Sequence, residues 1–228
     1  MISTSSLKSG YHGGALFILE DLKKRTTHDT DSIQYFKKGA YLYNEGTYPK
    51  GIYYILAGNV KIIRSSETGK ERIIHLSGKN DIIGYQSVLS GLPYQTSAKV
   101  LDNIEVLFLS TKLFYDLLSS PETNFQMIRL LAKDIELSEL KWVNMSTKSL
   151  KSRIADLLIS FKEKYGFVEN DNTLNIVMDR EEFAEMVGVS VEAIIRRFNE
   201  LKDAGIIETY GRNIRLLNLP ALKYIAQH

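Results

Sequence analysis

Between Ile33 and Leu109 the apolar residues fall in short runs, broken about every ten residues by turn formers. The runs include Gly51–Leu56, Val60–Arg64, Arg72–Leu76 and Val106–Ser110. The breakers are Glu45-Gly46, Ala57-Gly58-Asn59, Thr68-Gly69, Ser77-Gly78 and Gly91-Leu92-Pro93. Short strands at that spacing predict an all-β sandwich or roll. Upstream, the chain is polar to about Ala15, and Ala15–Arg25 can form a short helix carrying Leu16, Leu19 and Leu22 on one face.

Pro121 opens a different pattern. From Glu122 to about Ser146 there is neither glycine nor proline, which predicts a helix of about 25 residues and roughly 37 Å. One stripe carries Phe125, Ile128, Ala132, Ile135 and Trp142 at heptad-like spacing. A neighbouring face carries Met127, Leu130, Leu131, Leu137 and Leu140. Two apolar faces need two partners: the roll of the same chain and the same helix of a second subunit. A single core helix in a monomer is the plainer alternative, and the pattern favours the homodimer. Beyond Thr147 the order reads helix (Ser152–Tyr165), strand (Thr173–Val177), helix, helix, strand, strand.

The last part holds the most specific arrangement. Asp179 followed by Glu182 has the spacing of a capping box. Phe183, Ala184 and Val187 line the inner face of the helix it starts, and Ala184 is small enough for a close crossing. Gly188 suits a turn that needs positive φ, Val189 plugs the corner, and Ser190 caps the next helix. That helix buries Ile194, Phe198 and Leu201 and shows Val191, Glu192, Ile195 and Arg196 outward. The pattern is a helix-turn-helix, whose second helix enters the major groove of double-stranded DNA. Ile206–Glu208 and Thr209–Leu216 then form a wing around Gly211, with Arg212 at its tip placed to reach a phosphate. Arginine suits the O6 and N7 of guanine, and glutamate accepts from the cytosine amino group, so Arg196 and Glu192 are the base-reading candidates. Arg180 and Arg197 join them as DNA-binding candidates; for Arg197, near the buried flank, a phosphate contact and a plain surface position stay open. A helix-turn-helix used only for protein contacts is the competing reading.

Composition narrows the rest. The 228 residues suit two small domains, and 44% hydrophobic with 25% charged residues is ordinary globular usage. No run of eighteen apolar residues predicts a membrane span, and the start lacks a signal-peptide core, so a cytoplasmic protein is expected. With no cysteine, thiolate zinc sites, cysteine nucleophiles and iron–sulfur clusters have no ligands, and the four histidines stand singly. No metal and no cofactor is expected. Net charge is +2, and from Lys148 onward twelve Lys and Arg balance twelve Asp and Glu. DNA binding therefore rests on local geometry rather than bulk charge.

From Ile33 to Leu217 the chain resembles the cyclic-AMP receptor protein and fumarate–nitrate regulator (CRP/FNR) family of bacterial transcription factors. The matching residues are Phe36-Lys-Lys-Gly39, Asn44-Glu-Gly46, Leu56-Ala-Gly-Asn-Val-Lys-Ile62, Ile82-Ile-Gly84, Ser152-Arg-Ile-Ala155 and, above all, Val187-Gly188-Val189-Ser190-x-Glu192-x-x-x-Arg196. The resemblance implies an α+β fold: a cyclic-nucleotide-binding-like jelly roll over 1–120, a long dimerisation helix and hinge over 121–147, and a winged helix-turn-helix over 148–228. It puts the DNA-reading pair on Glu192 and Arg196. Val191 matches the fumarate–nitrate branch, which implies a TTGAT-like half-site, while Ile195 stands where that branch has serine and leaves the outer base open.

The family's nucleotide pocket maps onto Gly84, Tyr85, Gln86 and Ser87, then Thr96, Ser97 and Ala98, with Ser138 and Glu139 approaching from the long helix. Cyclic AMP needs an acidic acceptor for its ribose and an arginine for its phosphate. Tyr85 and Thr96 occupy those two places, and Glu139 would repel an anion. Cyclic AMP is therefore not expected as effector; a different neutral ligand, or none, remains, with these side chains simply filling the roll. A haem switch would have only His75 in the roll to use. The expected protein is a homodimeric, sequence-specific DNA-binding regulator, with RNA polymerase open as a further partner. The alternatives are a constitutive DNA binder and a jelly-roll enzyme; the latter would need two or three histidines in the roll, and neither GxxxxGK[ST] nor GxSxG occurs.

Overall fold

A computed structural model describes residues 33–66, 69–169 and 171–227. The helix expected at Ala15–Arg25 lies outside the described residues. Two compact units divide between Leu137 and Ser138, within the long helix.

The first unit is a roll of two antiparallel sheets. Its strands are β1 (Ile33–Phe36), β2 (Tyr41–Tyr43), β3 (Gly51–Ala57), β4 (Val60–Ser65), β5 (Glu71–Ser77), β6 (Ile82–Ile83), β7 (Ser97–Val100) and β8 (Ile104–Ser110). One sheet runs β1-β8-β3-β6 and the other β2-β7-β4-β5. Between them Ile55, Val60, Ile62, Ala98, Val100, Ile104 and Val106 form a buried cluster. The four runs read from the sequence are all strands here, β3, β4, β5 and β8.

Three helices complete the unit. Helix α1 (Tyr85–Ser90) and helix α2 (Thr111–Leu118) are short additions that the strand pattern did not mark. Ser110 caps α2 by accepting from the Leu113 N–H at 3.3 Å, and Phe114 and Leu117 are wholly buried. Helix α3 (Pro121–Thr147) is the expected long helix. Its Met127 and Leu130 enter a second cluster with Ile52, Tyr54, Tyr85, Phe114 and Leu117, and Leu131 packs against it. The other stripe is uncovered: Phe125, Ile128, Ile135 and Trp142 are 53, 55, 60 and 75% exposed.

The second unit carries α4 (Leu150–Tyr165), α5 (Arg180–Val187), α6 (Val191–Asp203), β9 (Ile207–Tyr210), β10 (Asn213–Leu216) and α7 (Leu219–Gln227). Its core is built on Ile154, Leu158, Phe161, Phe183, Ile194, Phe198, Leu201 and Leu222. Helix α7 follows the wing beyond the elements read from the sequence, with Pro220 in its first turn, where a missing N–H costs nothing.

One expected strand is corrected. Thr173–Val177 makes only isolated bridges, Phe167↔Leu174 and Thr173↔Arg215. Alternation suggested more, but the chain must leave the ladder after Leu174 to deliver Met178 to the core and Asp179 to the cap of α5, and Val177 is left 54% exposed.

Candidate nucleic-acid interface and effector region

The helix-turn-helix is locked by local chemistry. Glu182 N–H donates to Asp179 Oδ1 at 2.9 Å, and Asp179 N–H to Glu182 Oε2 at 3.1 Å, closing the capping box. Gly188 ends α5 at φ 79°, where a Cβ would be strained, and its N–H reaches the Ala184 carbonyl. Ser190 Oγ accepts from Ala193 N–H at 3.3 Å and starts α6. Phe183 meets the Phe198 ring edge-on at 5.1 Å between centroids, which fixes how the two helices cross.

With Ile194, Phe198 and Leu201 turned inward, Glu192, Ile195 and Arg196 are exposed and Val191 is half-buried. The Glu192 carboxyl is held below its ordinary range by its own backbone N–H and by Ser190, so it stays an anionic acceptor. Arg212 sits in the wing turn, 61% exposed, with Nη2 4.0 Å from Asp179 Oδ2. Arg180, the first residue of α5, lays its guanidinium 4.5 Å over the Phe198 ring. Arg197 Nη1 lies 2.6 Å from both carboxylate oxygens of Glu200. The pair is intrahelical and partly exposed.

Two supporting contacts join residues far apart in the chain. Arg153 on α4 donates to the carbonyl of Val187 at 3.0 Å and steadies the turn of the motif. Asp171 grips Arg215 on β10, accepting from Nε at Oδ1 and from Nη2 at Oδ2, both at 2.8 Å. Forty-four residues separate this pair, so no local spacing could reveal it. Hydrogen bonds from Arg215 and then Thr173 hold the Asp171 carboxyl down at about 2. Because the folded value is the depressed one, its contribution to stability is complete above the ordinary carboxyl range and is lost as pH falls through about 2. Asp171→Asn should therefore flatten the stability-versus-pH curve between about pH 4 and 2 by up to one proton. Denaturant midpoints by circular dichroism across that window check it; an unchanged acid limb would count against this pairing.

The effector candidates of the roll make contacts within the chain. Gly84, at φ 85°, turns the backbone into α1, and a Cβ there would stand 3.3 Å from the Tyr94 ring. Tyr85 is 2% exposed and donates its phenol proton to the carboxylate of Asp134 on α3. Gln86 Nε2 donates to the same oxygen of Asp134 at 3.0 Å. Ser87 is buried, and its hydroxyl faces the Pro93 carbonyl at 3.5 Å. Thr96 hydrogen-bonds the Tyr43 phenol, whose burial pushes it up to about 12. Ser97 Oγ accepts from the Glu45 N–H at 2.9 Å, and Ala98 is wholly buried. The Tyr43 and Tyr94 rings stack 4.0 Å apart, and Tyr94 donates to the Gly51 carbonyl.

On α3 the sequence pointed to Ser138 and Glu139, which are exposed. One turn earlier, Asp134 accepts from Tyr85 and Gln86. His75 is exposed on β5, and among the described residues no helix is long and apolar enough to cross a membrane.

Residues 33–120 match the family model of the cyclic nucleotide-binding domain, and residues 152–225 that of the Crp-like helix-turn-helix domain. The chain is 26% identical over 174 residues to the anaerobic regulatory protein of Bacillus subtilis, covering 75% of this chain and 73% of that protein. It is 26% identical over 198 residues to the fumarate and nitrate reduction regulatory protein of Salmonella typhimurium, covering 84% and 77%. Among solved structures, a transcriptional regulator of the CRP/FNR family from Thermus thermophilus shares the fold, with a TM-score of 0.73 at 22% identity over 86% of this chain and 98% of that one. These relatives are regulators of transcription and not enzymes, which sets the jelly-roll enzyme reading aside. With a roll, a long helix and a winged helix-turn-helix in the order those matches require, the chain belongs to the CRP/FNR family of transcription regulators.

Proposed function

We propose that the chain acts in the cytoplasm as a homodimer that reads a pseudo-palindromic DNA site, without cyclic AMP and without an iron–sulfur cluster. The observation that carries the reading is the capped, fully buttressed α6, whose free face presents Glu192 and Arg196. These two read base edges, Val191 and Ile195 shape the apolar contact beside them, and Arg180 and Arg212 take phosphates. Two such helices about one helical turn apart match a palindrome with half-sites at the same spacing. The exposed stripe of α3 supports the dimer, because a stripe of Phe, Ile and Trp side chains at heptad-like spacing needs a partner.

Effector independence is supported by what fills the roll. Tyr85 and Thr96, at the two places that would hold ribose and phosphate, are engaged with Asp134 and Tyr43. An anionic ligand entering there would lose the charge-assisted contacts it needs and meet the Asp134 carboxylate.

Selection of bound duplexes from a random pool at fixed salt, with and without cyclic AMP, tests the whole reading. A palindromic, TTGAT-like consensus of equal strength in both arms is the expected result. Enrichment only with the nucleotide would overturn effector independence, and a non-palindromic consensus would overturn the dimer. No enrichment in either arm counts against sequence-specific recognition by α6.

A further inference from the structure

The wing is a two-stranded ribbon, β9 and β10, paired through Ile207↔Leu216, Glu208↔Arg215, Thr209↔Ile214 and Tyr210↔Asn213. An isolated ribbon of this size is marginal in water, so its direction is set by whatever anchors it. Its inner face is held by burial of Ile207, Ile214 and Leu216. Backbone bonds from Leu174 N–H to the Ile214 carbonyl (2.9 Å) and from Leu216 N–H to the Asn172 carbonyl (3.0 Å) fix its base. On β10 these anchors all lie at 214 and beyond, behind the tip.

The outer face is organised by one cation. Arg215 donates to both oxygens of Asp171 at 2.8 Å and to Glu208 Oε2 at 3.3 Å, and lies 5.5 Å over the Tyr210 ring. Thr173 Oγ1 donates to Asp171 Oδ2 at 2.8 Å and orients that carboxylate. Tyr210 in turn hydrogen-bonds Glu208. One guanidinium thus ties the segment before α5, the strand β9 and the residue next to the wing turn. Arg212 lies three residues before Arg215, about 10 Å along the ribbon at ~3.4 Å per residue.

We propose that Asp171, acting through Arg215, is a positioning residue that aims the wing so that Arg212 meets the DNA backbone. Asp171 itself touches no nucleic acid. The inference rests on the DNA-binding reading above, and the experiment separates the two.

The measurement is fluorescence anisotropy of a labelled, selected duplex over a series of KCl concentrations. The proteins are the full-length wild type, Asp171→Asn, Arg215→Gln, Arg212→Ala and the double variant D171N/R212A. Each phosphate contact contributes a slope of about −0.9 in log K against log salt. Arg212→Ala should flatten the slope by about 1.8 for two wings. Asp171→Asn and Arg215→Gln should flatten it in the same direction while discrimination between selected and scrambled duplex is kept. The double variant should be no worse than Arg212→Ala, since a residue that acts through Arg212 has nothing left to lose once it is gone. A mere loss of stability would lower the amount of folded protein and leave the slope alone. Arg215→Gln reads the same contact from the other side should Asp171→Asn fail to fold. Wild-type slope in both folded single variants, or additive losses in the double variant, overturns the proposal and leaves the DNA reading standing. Wild-type protein that shows no preference for the selected duplex overturns both.

Discussion

Arg196→Ala is expected to erase discrimination between the selected duplex and a scrambled one, while the protein stays folded and keeps its oligomeric state. Arg196 is exposed, and the buried face of α6 is made by Ile194, Phe198 and Leu201, so truncation removes no core contact. A bidentate arginine–guanine contact carries about 1–3 kcal/mol of discrimination against the wrong base. Two half-sites double it, so specificity should fall on the order of a hundredfold or more. Phosphate contacts are untouched, so residual binding should persist at low salt and be indifferent to sequence. Arg196→Lys should not restore discrimination, because a point charge cannot reproduce the planar fork. Competition binding at one fixed salt concentration reads all three proteins. Unchanged discrimination in Arg196→Ala would remove Arg196 from the reading pair.

Ile135→Glu should convert the dimer to monomer and, with it, abolish tight binding to a palindrome. Ile135 lies mid-helix in the stripe of Phe125, Ile128, Ala132 and Trp142, and is 60% exposed in the single chain. The substitution should therefore leave each chain folded. At a dimer interface it places two facing carboxylates out of water without partners, which costs several kcal/mol. Losing the second half-site forfeits the effective concentration that links the two, about 10²–10⁴-fold in affinity. Sedimentation reports the mass directly. Trp142 offers a second readout, since it is the sole tryptophan and is 75% exposed in the single chain. Its emission should be that of a solvated indole in Ile135→Glu and shifted to the blue in the wild type. A wild type that sediments as a monomer would remove the dimer from the proposed function.

The parts of this protein that were legible in its sequence are those set by local chemistry. Strand runs broken by glycine, an unbroken helical stretch after Pro121, and a capping box followed by Gly188 and Ser190 each rely on neighbours within about four residues. The structure has these elements with bounds close to those read. Where a reading failed, a long-range demand outweighed the local pattern. Thr173–Val177 alternates as a strand should, yet β10 supplies partners only to Thr173 and Leu174 before Met178 is pulled into the core. Asp134, to which Tyr85 and Gln86 donate, carried no local pattern at all, because that contact depends on how α3 packs on the roll.

By itself, then, the sequence determined the order of roll, long helix and winged helix-turn-helix, and the outward set Glu192, Ile195 and Arg196. Periodicity and capping are properties of adjacent residues, and they survive any packing that buries the apolar face. Only the tertiary structure decided that Arg197 pairs with Glu200, that Tyr85 donates to Asp134, and that Asp171 pairs with Arg215. An ion pair or hydrogen bond forms where the backbone brings two groups within about 3 Å. For Asp171 with Arg215 and Tyr85 with Asp134 the sequence separations are 44 and 49 residues, distances that only the folded chain can close.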